Sequence, residues 1–264
     1  MRWGYGWGVD VHLVPCLRDN YAYLLHQPGQ AEALVVDASE EAPVLAALGR
    51  LGLTPVAILT THHHHDHVGG NQGLLSRYPE LRVFGHRSDR GRIPGQTDAL
   101  DDGARFEVAG LEVKALHIPG HTLGALAYVA EGAAFTGDTL FAAGCGRLFE
   151  GTPAQMYESL NTTLGALPDD TRIYCGHEYT VNNLRFAHLL EPHNAAITSK
   201  LAWAEAQREL GQPTLPSTLA EERRTNPFLR VAEKDVVQSV SERLARDRSP
   251  QAVLAAVRAM KDAF

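Results

Sequence analysis

Residues 59–71 read LTTHHHHDHVGGN, which places five histidines and one aspartate in six consecutive positions. Imidazoles crowd like this inside a chain for few reasons. An expression tag is usually terminal and homopolymeric, whereas this block is internal, is interrupted by Asp66 and closes on Gly69-Gly70. Metal binding is the chemistry that uses such a block, and it requires the rest of the fold to bring further ligands to it. The block follows an apolar, β-branched run, VAILTT from Val56, and three more runs end alike: ALHIPGH at His121, AAFTGD at Asp138 and RIYCGH at His177. Four apolar runs that each deliver a His or Asp just past their end predict a layered α/β fold, in which catalytic groups gather at strand ends.

Further strand candidates are VHLVPCL from Val11, YAYLL from Tyr21, ALVVDA from Ala33, RVFGH from Arg82, LEVKALHI from Leu111 and ALAYVA from Ala125. Helical patterns interleave at 40–51, 73–78 and 153–167, the last with Thr152 as N-cap and Pro153 at the first helical position. From Val181 onward only helical patterns are evident, broken at GQPTLPST and TNPF. A boundary is therefore expected near residue 180, between an α/β domain (1–180) and a smaller, mainly helical one (181–264).

Hydrophobic content of 44% and charged content of 21% describe a globular chain. A net charge of -7 and the lack of a basic stripe argue against nucleic acid or an anionic membrane as partner. Cys16, Cys145 and Cys175 show no C-x-x-C spacing, which argues against a disulfide framework and fits a reducing compartment. No apolar run approaches the ~20 residues that span a bilayer, and the opening MRWGYGWGVDVHLV lacks the order of a signal peptide. A cytoplasmic location is the expectation.

In an extended segment alternate residues share a side, which would put His62, His64 and Asp66 on one face and His63, His65 and His67 on the other. The pattern does not choose between the faces. Nitrogen and oxygen donors without an obvious thiolate suit zinc, iron or manganese rather than a Cys-rich structural zinc. The donors suffice for two ions if one carboxylate bridges. Such a pair can share a water, lower its pKa toward neutrality as a bridging hydroxide, and polarise an acyl carbonyl. Thioester hydrolysis suits that site because a thiolate leaves without a protein acid, although phosphodiester or lactam hydrolysis is equally allowed. Asp37 either orients a ligand histidine or opens a turn. Cys175 reads as buried and inert, and Gly69 and Gly70 as permitting close packing where the next helix starts. By pattern alone, Arg258 and Lys261 form a solvated polar face of a helix.

THHHHDH resembles the T-H-x-H-x-D-H signature of the metallo-β-lactamase superfamily. Longer stretches resemble glyoxalase II, the hydroxyacylglutathione hydrolases: LRDNYAYLL from Leu17, TGDTLFAAGCGRLFEGT from Thr136, YCGHEYTVNNLRFA from Tyr174, NAAITSKLAWA from Asn194 and TNPFLR from Thr225. The similarity covers the chain apart from its first eight or so residues. It implies a four-layer αβ/βα metallo-β-lactamase sandwich followed by a small, mainly helical, glutathione-binding domain. It also implies two divalent ions, zinc in the first place and iron or manganese as alternatives. His62, His64 and His121 would hold the first, Asp66, His67 and His177 the second, and Asp138 would bridge them, with Asp66 and Asp138 as the catalytic carboxylates. His63 and His65 fall at non-ligating positions, His65 where the family more often has Trp or Asn.

The implied reaction is hydrolysis of S-D-lactoylglutathione and other 2-hydroxyacyl-glutathiones to glutathione and the hydroxy acid, the second step of methylglyoxal detoxification. Arg258 and Lys261 match the family's glutathione-binding pair. Arg147 and Tyr179 match glutathione-contacting positions, and Phe149 stands where some relatives have Tyr. A competing reading on the same fold is the persulfide dioxygenase, an iron oxygenase with two His and one carboxylate; Asp66, His67, the complete second ligand set and the helical tail speak against it. A non-catalytic metal-binding or nucleic-acid-processing relative is disfavoured by the acidic charge. The expected partner is the small-molecule substrate alone, with no nucleic acid and no membrane, and the expected state is a monomer.

Overall fold

A computed structural model of the protein describes residues 8–244 and 247–264. Residues 1–7, the start of the N-terminal stretch considered above, lie outside the described residues. The chain divides into two compact units, Met1–His117 with Leu126–Phe135, and Ile118–Ala125 with Thr136–Phe264.

The first unit opens with β1 (Asp10–Cys16), β2 (Asn20–His26) and β3 (Glu32–Val36), followed by α1 (Glu41–Leu51), β4 (Thr54–Leu59), α2 (His65–Val68), α3 (Asn71–Arg77) and β5 (Arg82–His86). The short β6 (Asp98–Leu100) and β7 (Arg105–Val108) precede β8 (Leu111–His117), β9 (Leu126–Ala130) and β10 (Ala133–Gly137), whose last two residues belong to the second unit. Strands β1 to β6 lie side by side in chain order. The first three are antiparallel and the rest run parallel. Parallel strands covered on both faces need continuous apolar sequence, which is why ALVV and VAIL do not alternate. Strands β7 to β10 make an antiparallel meander.

Helix α1 buries Val44, Ala47 and Leu48, the i, i+3, i+4 stripe of an amphipathic helix. It stops at Gly52, whose φ of 68° lets its N–H reach back to the Gly49 carbonyl. Val44, Leu48 and Leu74 of α3 pack in one core with Leu24, Val35, Ile58 and Val83 of the sheet. Each such fully buried side chain contributes roughly 1.5–3 kcal/mol. That core fixes the end of β4, where the histidine block begins.

The second unit carries β11 (Leu140–Phe141), β12 (Gly144–Cys145), α4 (Pro153–Tyr157), β13 (Arg172–Cys175), α5 (Thr180–Leu190), α6 (Ala195–Glu209), β14 (Ser217–Thr218), α7 (Leu219–Thr225), α8 (Lys234–Ser239) and α9 (Pro250–Ala263). Thr152 caps α4 through a reciprocal box with Gln155, and Pro153 takes the first turn, as the sequence predicts. The expected α-helix to residue 167 is not sustained: after Tyr157 it widens into π turns over 158–163 and tightens to a 3₁₀ turn over 164–166. The strand-free reading after Val181 also needs correction, because Ser217 and Thr218 pair with Ile173 and Arg172 of β13. Asn226, just past α7, donates to the carbonyls of Phe141 and Gly144 and to Glu222, and Glu222 accepts the Ala143 N–H. These buried bonds pin the helical tail to the β11–β12 hairpin that follows Asp138. No helix among the described residues is long and apolar enough to cross a membrane.

Candidate metal centre

The chain leaves β4 through buried Thr60 and Thr61, stays extended to His64 and turns into α2 at His65. Alternation holds that far. His62 Nε2 and His64 Nδ1 lie 3.1 Å apart, while His63 turns its Nδ1 to Asp89, 3.4 Å away. Beyond His64 alternation fails, because the helical turn brings the His67 ring to 4.1 Å from that of His62. Grouping His67 with His63 is thereby corrected.

Asp37, buried and in the left-handed region at φ 50°, accepts from three donors. They are the Thr61 N–H at 2.8 Å, the Thr61 hydroxyl at 2.7 Å and His67 Nδ1 at 2.8 Å. The aspartate thus orients a histidine. Tautomers follow from the partners. A carboxylate only accepts, so His67 carries its proton on Nδ1 and its lone pair on Nε2. Thr61 has already given its hydrogen to Asp37, so its hydroxyl oxygen accepts from His62 Nδ1 at 3.0 Å. His62 then also presents an Nε2 lone pair. Asn20, at the start of β2, donates to Asp66 Oδ2 at 3.0 Å and to the Asp66 carbonyl at 3.2 Å.

In the second unit His121 donates Nδ1–H to the Arg147 carbonyl at 2.9 Å, leaving Nε2 to face Asp138 Oδ2 at 3.6 Å. His177, two residues past β13, brings its Nε2 to 3.2 Å from the same oxygen. Gly146 makes this approach possible: a Cβ there would lie 2.0 Å from the Asp138 carbonyl oxygen and 2.9 Å from His121 Nδ1.

His62, His64, Asp66 and His67 of the first unit and His121, Asp138 and His177 of the second are described residues able to hold a metal ion. Their chemistry fits divalent cations. The donors are imidazole nitrogens and carboxylate oxygens, and three of the imidazoles have their lone pairs aimed by fixed partners. The 3.1 Å between His62 and His64 nitrogens approaches the roughly 3.4 Å separating two nitrogens bound tetrahedrally at ~2.1 Å. No thiolate competes: Cys175 is buried, its thiol donates to the His177 carbonyl at 3.4 Å, and burial pushes its pKa up.

The residues matched to glutathione contacts all lie in the second unit. Arg258, on α9, is 6% exposed, so it does not lie on a solvated face. Its guanidinium donates to the Cys145 carbonyl at 2.7 Å and pairs with Asp262 at 3.1 Å. The same Asp262 oxygen lies 3.6 Å from Arg147 Nε. Lys261, half-buried, donates to the Asn182 carbonyl at 3.1 Å and sits over the Phe186 and Phe264 rings. Burial, and then the Arg258 charge, lower its pKa to about 8. Phe149 and Tyr179 are exposed and lie against two of these histidines: Phe149 meets His121 edge-on at 5.2 Å, and Tyr179 stacks flat on His177 at 4.7 Å.

Sequence reasoning missed Asn20, Thr61, Gly146 and Asp262. Asn20 had a signal, as a polar residue opening an apolar strand. Asp262 had another, one helical turn after Arg258.

A family profile described as the metallo-beta-lactamase superfamily matches residues 17–177, and one described as the hydroxyacylglutathione hydrolase C-terminus matches residues 178–264. A hydroxyacylglutathione hydrolase of Synechococcus sp. (strain JA-2-3B'a(2-13)) is 53% identical over 97% of this chain and 100% of that protein. Among solved structures, the B3 metallo-beta-lactamase BLEG-1 superposes with a TM-score of 0.65 at 22% identity, covering 83% of this chain and 99% of its own. TTHA1623 in a di-iron-bound form gives 0.58 at 27% identity, covering 83% and 100%. The fold is the metallo-β-lactamase fold with a helical C-terminal segment.

Proposed function

Because the chain belongs to the hydroxyacylglutathione hydrolase family of the metallo-β-lactamase superfamily, we propose that it hydrolyses S-D-lactoylglutathione and other 2-hydroxyacyl-glutathiones. The products are glutathione and the 2-hydroxy acid, D-lactate in the first case, and the step is the second in methylglyoxal detoxification. Residues 1–180 are the catalytic domain in this reading and residues 181–264 the glutathione-binding one. His62, His64 and His121 would hold one divalent ion and Asp66, His67 and His177 the other, with Asp138 available to both; zinc is the first candidate, with iron or manganese as alternatives. When bound, the ions would supply Lewis acidity toward water and the acyl carbonyl.

The chain's own groups do the rest. Asp37, Thr61 and the Arg147 carbonyl hold three imidazoles with their lone pairs aimed. Asp66 and Asp138 would provide the negative charge that retains divalent ions, and Asp66, which accepts a hydrogen bond from Asn20, takes a proton from the attacking water in this reading. The water oxygen adds to the acyl carbon, the C–S bond breaks, and the thiolate leaves with the electron pair. Arg147, Phe149, Tyr179, Arg258 and Lys261 receive the glutathione moiety, whose carboxylates call for fixed cations. A cytoplasmic monomer with no nucleic-acid or membrane partner completes the proposal, and the net charge of -7 agrees with it.

One observation carries this reading. Within the second unit an unbroken run of contacts links His121 to the Arg147 carbonyl, Arg147 to Asp262, and Asp262 to Arg258, tying the proposed substrate cations to a proposed metal ligand. The test is the ratio of kcat/KM for lactoylglutathione to that for a small thioester lacking glutathione. In the Arg258→Ala/Lys261→Ala variant that ratio should fall at least tenfold, with metal content unchanged. An unchanged ratio would remove the glutathione assignment.

A further inference from the structure

His63 sits between two proposed ligands and is not one of them, and the structure gives it a partner set of its own. Asp89, in the 3₁₀ turn after β5, is 0% exposed. Its Oδ1 accepts from Arg92 Nη2, and its Oδ2 lies 3.4 Å from His63 Nδ1. Arg92 Nη1 closes the triangle at 3.2 Å from His63 Nε2. A guanidinium only donates, so His63 Nε2 accepts and the ring proton resides on Nδ1, toward Asp89. His63 Nε2 is therefore engaged away from any metal, and Nδ1 faces the Asp89 carboxylate at 3.4 Å.

The turn that carries the triangle is itself anchored. Arg92 and Ile93 donate their N–H groups to the Asp89 carbonyl at 2.8 and 3.1 Å, and Ile93 is buried in the core beneath α1. In an extended segment neighbouring side chains point to opposite sides, so fixing the middle residue fixes the rotation of the segment about its axis. That rotation sets where His62 Nε2 and His64 Nδ1 point, 3.1 Å from each other. A buried carboxylate needs a compensating partner, and Arg92 supplies it at Oδ1 while the other oxygen is turned toward His63.

We propose that Asp89, acting through His63 with Arg92, is a positioning residue that presets the His62–His64 pair for the first metal ion and keeps His63 from competing for it. The inference rests on the two-ion reading above. In this arrangement the second histidine of the block is a strut: it offers the scaffold an attachment point between two proposed ligands.

The test uses full-length metal-free protein titrated with Zn²⁺ against a chromogenic chelator, together with the visible absorption of the Co²⁺-loaded form, for wild type, Asp89→Asn, His63→Phe and the double variant. Outer partners of metal ligands are commonly worth 10–100-fold in affinity. Each single change should weaken the tighter Zn²⁺ step by at least about tenfold and alter the Co²⁺ bands. The double variant should be no worse than the weaker single, because both act along one path. His63→Phe leaves the Asp89–Arg92 pair intact and should keep the unfolding midpoint of the metal-free protein, so it decides the matter should Asp89→Asn not fold. Wild-type Zn²⁺ affinity in His63→Phe, or additive losses in the double variant, would overturn the inference. Wild type that fails to bind two Zn²⁺ ions would instead overturn the two-ion reading and this inference with it.

Discussion

Raising the pH from 7 to 9 should weaken binding of a glutathione derivative by close to tenfold through a single residue, Lys261. Burial lowers the pKa of this amine to about 8, and the adjacent Arg258 charge adds to the effect. The sign follows from the charge type: the cation is present below that pH and lost above it. The charged fraction is roughly 0.9 at pH 7 and roughly 0.1 at pH 9, a ratio of about nine. A charge-assisted hydrogen bond is worth about 1.5–3 kcal/mol, or about 10–100-fold, so loss of the proton rather than bond strength limits the change over this range. The Cys145 thiol is pushed up to about 11 by burial, and the Asn182 carbonyl and the rings of Phe186 and Phe264 do not titrate. Calorimetric Kd values for S-methylglutathione at pH 7, 8 and 9 should rise in wild type. They should rise much less in Lys261→Arg, whose guanidinium stays charged; titration of the ligand's own amine is common to both. Parallel profiles for the two proteins would refute the assignment of Lys261 to the substrate anion.

His62→Ala and His64→Ala should each lose a bound ion and at least about 100-fold in turnover, whereas His63→Ala at saturating zinc should retain both ions by elemental analysis. Asp138→Asn keeps the shape of the proposed bridge but not its charge, and neither two tightly held ions nor near-normal turnover should survive. Gly146→Ala forces a methyl to 2.0 Å from the Asp138 carbonyl oxygen; overpacking of this kind costs about 1–3 kcal/mol, and both the unfolding midpoint and metal affinity should fall.

Much of this arrangement is legible in the sequence because strand ends announce themselves. VAILTT, AAFTGD and RIYCGH are apolar runs long enough to read as β4, β10 and β13, and the His and Asp residues at or after their ends stand among the proposed metal ligands. Thr152 and Pro153 give the start of α4 for the same local reason. What escapes is short or non-local. Strands β6, β11, β12 and β14 span two or three residues each, below the length at which alternation can be detected, and β14 exists through a partner more than forty residues away. The four-residue α2 defeats the alternation argument for the same reason, since one helical turn has no visible period. Asp37 could only be left open between ligand support and a turn, because His67 lies thirty residues further on. The packing that demands glycine at 146 exists only once His121 and Asp138 have been folded against it.

The central claim is that this chain breaks a glutathione thioester with two divalent ions held by His62, His64, Asp66, His67, His121, Asp138 and His177. The most direct measurement is a titration of metal-free wild-type protein with Zn²⁺, following lactoylglutathione hydrolysis and bound metal in the same samples. Activity should be absent without metal, should rise with the added ion and should saturate at two ions per chain. Full hydrolysis by the metal-free protein, or two bound ions with no thioester cleavage, would contradict the account.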